Sequence, residues 1–120
     1  MNSTTLRELR DVLHRQRKAM FQAVAGAEAD LEAIAEEYEP EFEERAQEES
    51  DARLYAALDD HGKRTIDAID AALRRIAEGR YGECATCAKP ITVARLHAVP
   101  TTLLCIRCAH AAEPAATAAS

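Results

Sequence analysis

Aromatic residues are scarce in this chain: two phenylalanines and three tyrosines supply 4% of its 120 residues. Much of the 48% apolar content is alanine instead, which suits packed helices better than a thick layered core. No apolar run approaches the roughly 20 residues needed to cross a bilayer, so no membrane segment is expected. Neither a secretory leader nor a lipidation motif is legible, and a soluble, cytoplasmic protein is expected. Proline is absent before Pro40, so no residue of that kind interrupts a helix in the first third. No cysteine lies outside one C-terminal cluster.

That cluster is Cys84-Ala-Thr-Cys87 followed, after seventeen residues, by Cys105-Ile-Arg-Cys108. Two Cys-x2-Cys pairs at this separation are a strong zinc signature, because each pair forms one tight knuckle and two knuckles close a tetrahedron. Two disulfides are the alternative, disfavoured in a reducing compartment. Gly82 has the freedom that a tight turn before the first knuckle needs, and Lys89-Pro90 turns the chain after it. Ile91, Val93 and Leu96 supply a short apolar run, and Leu103-Leu104 lead into the second pair. The segment reads as a small ribbon with too little apolar surface to fold alone. One zinc ion is therefore its core, contributing on the order of 10–16 kcal/mol as in comparable peptides. Four thiolates leave no open coordination position, which makes the site structural rather than catalytic. His97 and His110 lie nearby, but the cysteines already fill the tetrahedron; His14 and His61 read as helix-surface residues.

The net charge of −6 is unevenly spread. From Glu28 to Asp51 twelve acidic residues face one basic residue, Arg45, a local net of −11 that leaves +5 for the rest. A chain with its negative charge in one block is a poor fit to nucleic acid, whose phosphates require a basic stripe. Direct DNA binding is not expected.

Thr5-Leu-Arg-Glu8 has the pattern of a capping box, which predicts the start of a long helix. Apolar residues recur at Leu6, Leu9, Leu13, Met20, Val24, Ala27, Leu31, Ile34 and Tyr38. From Met20 the steps alternate four and three, the seam of a coiled coil, with a polar interruption at Gln16-Arg17 weakening one layer. Pro40 is expected to end this helix. A second periodic run, Leu54, Leu58, Ile66, Ile69, Leu73 and Ile76, stops at Glu78-Gly79, a glycine cap with Arg74, Arg75 and Arg80 complementing the negative helix end. Two runs of similar length about one short break predict an antiparallel hairpin, favoured over an intermolecular bundle. Pairing about the break would bring Gly62 near Phe21. After Cys108, Ala109 to Ala112 are expected to continue as a short helix, and residues 113–120 as a flexible tail.

The fold class expected is mainly α: a long antiparallel coiled-coil hairpin over 1–79 with an acidic tip near 39–46, then a four-cysteine zinc finger over 80–112. The tip, Glu39-Pro-Glu-Phe-Glu-Glu-Arg-Ala46, carries four carboxylates around Phe42. A solvated turn is its simplest reading. Concentrated, self-repelling charge at one end of a stalk favours a function instead, such as insertion into a narrow basic channel.

The string Tyr81-Gly-x-Cys-x2-Cys, Ile91, Arg95-Leu96, Ala98, Pro100 and Cys105-Ile-x-Cys108 resembles the DksA/TraR family of C4 zinc-finger proteins, and the resemblance extends back through the coiled coil. It implies binding to bacterial RNA polymerase, insertion of the coiled-coil tip through the secondary channel, and altered promoter open-complex lifetime without contact to DNA. The family's Asp-x-x-Asp-x-Ala tip corresponds to Glu41, Glu44 and Ala46, with Arg45 also matching. Each carboxylate thus sits one methylene further out. The family's extra N-terminal segment is expected to be missing. Positions where the family helps hold ppGpp carry Ala68, Val99 and Ala109, which implies an effect largely independent of ppGpp. Ala88 replaces the glycine usual after the second cysteine, so a left-handed backbone there would be strained. The resemblance implies a monomeric regulator, not an enzyme.

Two other functions fit parts of the sequence. In a transcript-cleavage factor, Glu43-Glu44 would hold a second Mg2+ in the polymerase centre, but cleavage factors with that geometry lack this zinc module. In a zinc-dependent adaptor or redox sensor, Arg80, Lys89, Arg95 and Arg107 would lower the thiol pKa values; simple neutralisation of a four-thiolate site is the plainer role for those cations.

Overall fold

The computed structural model describes residues 1–26 and 40–113, and for 40–48 it describes the backbone. Among the described residues there are five helices and no strand. They fall into two compact units: Met1–Leu13 with the chain from Ile69 onward, and His14–Ala68.

Helix α1 spans Ser3–Ala25. Its cap is Asn2, whose Oδ1 accepts from the Thr5 amide at 2.7 Å. Thr5 is thus the third helical residue and does not open a capping box; an asparagine oxygen three residues upstream already satisfies the amide that begins the turn. Leu9 and Leu13 are fully buried and Phe21 nearly so, with Leu6, Met20 and Val24 half-buried. The expected stripe is present, with Phe21 added to it. The helix ends before Pro40, at Ala25, because Gly26 takes a left-handed φ of +46° that closes helices readily. Ala27, Leu31, Ile34 and Tyr38 lie outside the described residues.

Pro40, expected to end a helix, begins one. α2 spans Pro40–Ala57, and a proline at the first helical position loses nothing, since its missing donor would be unpaired there anyway. Glu41, Glu44, Arg45 and Ala46 belong to the first two turns of this helix. Within the unit His14–Ala68, Arg17 Nη1 donates to Asp51 Oδ2 at 3.0 Å and joins α1 to α2.

The second periodic run is two helices of eighteen residues, not one. α3 spans Asp60–Ala77, and Leu58-Asp59 separates it from α2. Asp59 Oδ1 accepts from the Gly62 amide at 2.7 Å, the bond of an N-cap, which offers the backbone an alternative to continuing the helix. Tyr55 spans the break by donating its hydroxyl to Asp67 at 2.9 Å, and the Lys63 ammonium lies 5.9 Å from its ring centroid. The nearest atoms that a Cβ at Gly62 would meet belong to the preceding break, Leu58 Cδ2 at 3.1 Å and Asp59 Oδ1 at 3.2 Å.

Ile66, Ile69 and Ala72 bury the inner face of α3. The helix closes as expected at Gly79, with φ +73°. The Gly79 amide donates to the Ile76 carbonyl at 3.1 Å and the Arg80 amide to the Arg75 carbonyl at 2.8 Å, the paired bonds of a Schellman motif. Beyond it, the ribbon expected from sequence is one isolated bridge, Glu83 to Pro90, followed by two short helices. α4, Val93–Ala98, is capped by Thr92, whose Oγ1 accepts from the Arg95 amide at 3.2 Å. α5, Ile106–Ala112, follows Cys105; it includes the expected helical stretch Ala109 to Ala112 but begins three residues earlier and contains Cys108. Tyr81, Cys84, Ile91, Leu96 and Pro100 are buried. This is a small core, as the scarcity of large side chains required.

Candidate metal centre

The first cysteine pair is shaped by backbone bonds. The Cys84 amide donates to the Lys89 carbonyl at 2.9 Å, and the Ala88 amide to the Cys84 carbonyl at 2.9 Å. Closing this knuckle drives Ala88 to φ +63°, the one left-handed non-glycine among the described residues, as its place after the second cysteine predicts. Gly82 takes φ +88° just before it, again as expected, and its carbonyl accepts from the Ile91 amide at 2.7 Å. The second pair opens α5, and the Ala85 amide ties the two halves by donating to the Leu103 carbonyl at 2.8 Å.

These turns bring all four thiols together. The Sγ atoms of Cys84, Cys87, Cys105 and Cys108 lie within 4.8 Å of one another, and those of Cys87 and Cys105 are 3.8 Å apart. A tetrahedron with sulfurs about 2.3 Å from its centre has edges of about 3.8 Å, so the arrangement fits one zinc ion. All four are free thiols, and the disulfide alternative is not adopted. His97 and His110 are outside the cluster; both are exposed, and His110 faces Glu113 at 3.8 Å.

Backbone amides favour the anionic thiolates that a metal requires. The amides of Cys105 and then Cys87 bring Cys84 down to about 6 against the opposing effect of burial. Cys105 is lowered by the Cys108 amide first. Cys108 is pushed up to about 12 by the neighbouring sulfurs, Cys105 before Cys84: in such a crowd one thiol retains the shared proton that a bound cation would displace.

Of the four cations near the cysteines in sequence, two lie beside them in space. Lys89 and Arg107 line an open hollow of about 290 Å³ with Cys87, Cys105, Cys108 and Ala111. Arg95 is engaged elsewhere: its Nε donates to the Leu104 carbonyl at 2.9 Å. Arg80 pairs with Glu78 at 3.8 Å. Sequence reasoning missed the polar contacts that hold the knuckles, those of Arg75, Arg95 and Thr102. An arginine between the apolar residues Val93 and Leu96 was the available signal for one of them. The side chains of Glu41, Glu44, Arg45 and Ala46 lie outside the described residues.

Four thiols on two knuckles, beside helices that carry most of the chain, define a mainly helical C4 zinc-finger protein. Residues 79–114 match the family described as the prokaryotic dksA/traR C4-type zinc finger. The solution structure of the DnaK suppressor protein from Agrobacterium tumefaciens is 36% identical with a TM-score of 0.65, over 92% of this chain and 96% of that one. Transcription factor DksA2 from Pseudomonas aeruginosa gives a TM-score of 0.61 at 29% identity, over 92% and 84% of the two chains. The RNA polymerase-binding transcription factor DksA of Caulobacter vibrioides is 40% identical over 63 residues, 52% of this chain and 44% of that protein. The chain thus spans under half the length of that curated relative. It belongs to the DksA/TraR C4-type zinc-finger family, and its four cysteines are placed to bind one structural zinc ion.

Proposed function

We propose that this protein binds bacterial RNA polymerase and regulates transcription initiation through the secondary channel, with no chemistry of its own. The observation that carries this reading is the match over 92% of the chain, at 36% identity, to a solved member of the family. A relative from Caulobacter vibrioides bears the name of an RNA polymerase-binding transcription factor. The acidic block from Glu28 to Asp51 supplies a second, physical argument. Negative charge concentrated near the start of α2 is drawn into a basic channel, and the attraction accelerates encounter more than it tightens the final complex.

In this reading Glu41 and Glu44 are the active carboxylates, Arg45 a charged contact and Ala46 a packing contact. Zinc supplies the cross-link that keeps the C-terminal module folded. Ala68, Val99 and Ala109 offer no charge to a phosphate, so the effect is largely independent of ppGpp. The protein acts as a cytoplasmic monomer and leaves DNA to the polymerase. No helix among the described residues is long and apolar enough to cross a membrane.

The test is open-complex lifetime on a ribosomal RNA promoter with purified bacterial polymerase, for the wild type and for Glu41→Ala/Glu44→Ala. The expected result is a lifetime changed by the wild type and restored by the double variant, with polymerase binding retained. Absence of any polymerase binding by the zinc-loaded wild type would sink the proposal.

A further inference from the structure

Each cysteine pair is preceded by a carbonyl that an arginine holds. Arg75, in the last turn of α3, donates from Nη2 to the Glu83 carbonyl at 2.6 Å and to the Arg80 carbonyl at 3.2 Å. Glu83 is the residue immediately before Cys84. Arg95, in α4, donates from Nε to the Leu104 carbonyl at 2.9 Å and from Nη2 to Thr102 Oγ1 at 3.3 Å. Leu104 is the residue immediately before Cys105. Thr102 completes the second clamp: its hydroxyl donates to the Leu104 carbonyl at 3.0 Å and accepts from the Leu104 amide at 3.3 Å.

We propose that Arg75 and Arg95 are a matched pair of positioning residues for the zinc site, each fixing the backbone that delivers the leading cysteine of one knuckle. Neither touches the thiols in the contacts above; both act through a peptide group. The reason such a clamp matters is entropic. A peptide free to turn costs about 1–2 kcal/mol to fix, and in a small zinc module that ordering falls on metal binding itself. A charged donor on the carbonyl does part of the ordering beforehand. Arg75 has a further consequence, because it joins the end of α3 directly to the first knuckle. Zinc occupancy and the order of the last turn of α3 are therefore coupled, and this holds whatever partner the protein binds.

The clamps differ in a way that separates positioning from general stability. Arg75 reaches both its carbonyls from one nitrogen, a contact that a lysine ammonium can copy. Arg95 uses two nitrogens of the planar fork on two different oxygens, which lysine cannot. The experiment is zinc competition on the full chain with a chromogenic chelator, for Arg75→Ala, Arg75→Lys, Arg95→Ala and Arg95→Lys, with Arg17→Ala as a helix-destabilising control outside the module. Both alanine variants should bind zinc roughly tenfold more weakly, the lower end of what outer contacts to a metal site contribute. Arg75→Lys should recover most of the loss and Arg95→Lys should not. Cobalt bound at saturation should keep its four-thiolate absorption in every variant that folds. If an alanine substitution leaves the chain unfolded, the lysine pair decides alone. Wild-type affinity in Arg95→Lys, or an equal loss in Arg17→Ala, would overturn the proposal.

Discussion

The guanidinium of Arg17 lies 3.0 Å from Asp51 Oδ2 and 4.7 Å from the centroid of the Phe21 ring. It occupies the layer between Leu13 and Phe21 where an apolar residue would ordinarily stand, and replaces a hydrophobic contact with a directed one. Both charged side chains are about a quarter exposed, so neither carries the full desolvation cost of a buried ion. Pairing in any other register would separate the charges, which makes the layer a device for fixing how α1 meets α2.

A double-mutant cycle with Arg17→Met and Asp51→Asn should therefore give a coupling of about 1 kcal/mol in denaturant unfolding, at the upper end for partly exposed pairs. Raising the salt to about 1 M should remove much of it, since screening then acts within about 3 Å. A coupling near zero at low salt would mean that the layer is merely tolerated.

Ala88 holds φ +63° with an alanine side chain, a conformation that costs a β-carbon roughly 1–2 kcal/mol. Ala88→Gly relieves that strain and gives back about half of it through a more flexible unfolded chain. The expected net gain is up to about 1 kcal/mol, read as slower loss of zinc to a chelator and a higher melting temperature of the zinc-loaded protein. Faster zinc loss from the glycine variant would show that the knuckle is unstrained.

Buried Tyr81 donates its hydroxyl to the Pro100 carbonyl at 2.7 Å, and desolvation pushes its pKa from 10.0 up to about 12. The folded state thus resists losing a proton that the unfolded chain gives up near 10. Its contribution to stability is complete below pH 10, declines as pH rises through the interval up to about 12, and is lost beyond it. Tyr81→Phe should cost about 1–2 kcal/mol at neutral pH, because the Pro100 carbonyl loses its donor. The gap between the two proteins should narrow steadily through that alkaline window. A gap independent of pH in urea titrations would rule the account out.

Different parts of the molecule were legible in the sequence for different reasons. The cysteine spacing reports a geometry that the metal imposes, and all four thiols meet as that spacing requires. The buried stripe through Leu9, Leu13, Ile66 and Ile69 follows from helical periodicity alone. Helix ends were harder, because they depend on which of several polar side chains wins a backbone amide. Asn2 takes the role assigned to Thr5. Asp59 divides a run whose apolar period continues across the break, so periodicity could not report it. Arg17 looked like a weakness for want of a visible partner, since Asp51 lies 34 residues away. The clamps on Glu83 and Leu104 were harder to read for a related reason: an arginine between apolar residues marks one donor, but the acceptors are backbone carbonyls, which no residue type announces.

Under the proposed channel mechanism, the carboxylates at the start of α2 set how strongly the protein acts on the polymerase. Where the family resemblance places aspartates, this chain has Glu41 and Glu44. The charge is the same, but each carboxylate has one more rotatable bond to order and reaches one methylene further. In a confined channel both differences weaken a contact that depends on position. Glu41→Asp/Glu44→Asp should therefore shorten open-complex lifetime more than the wild type does at equal polymerase occupancy, by a few-fold, as expected for about 1 kcal/mol. Binding itself should change little, because long-range attraction depends on charge, which the substitution conserves. An unchanged lifetime with unchanged binding would mean that the longer side chains already reach their contacts. A weakened effect would mean that this protein's partner surface has adapted to glutamate, and the aspartates would then be the misplaced residues.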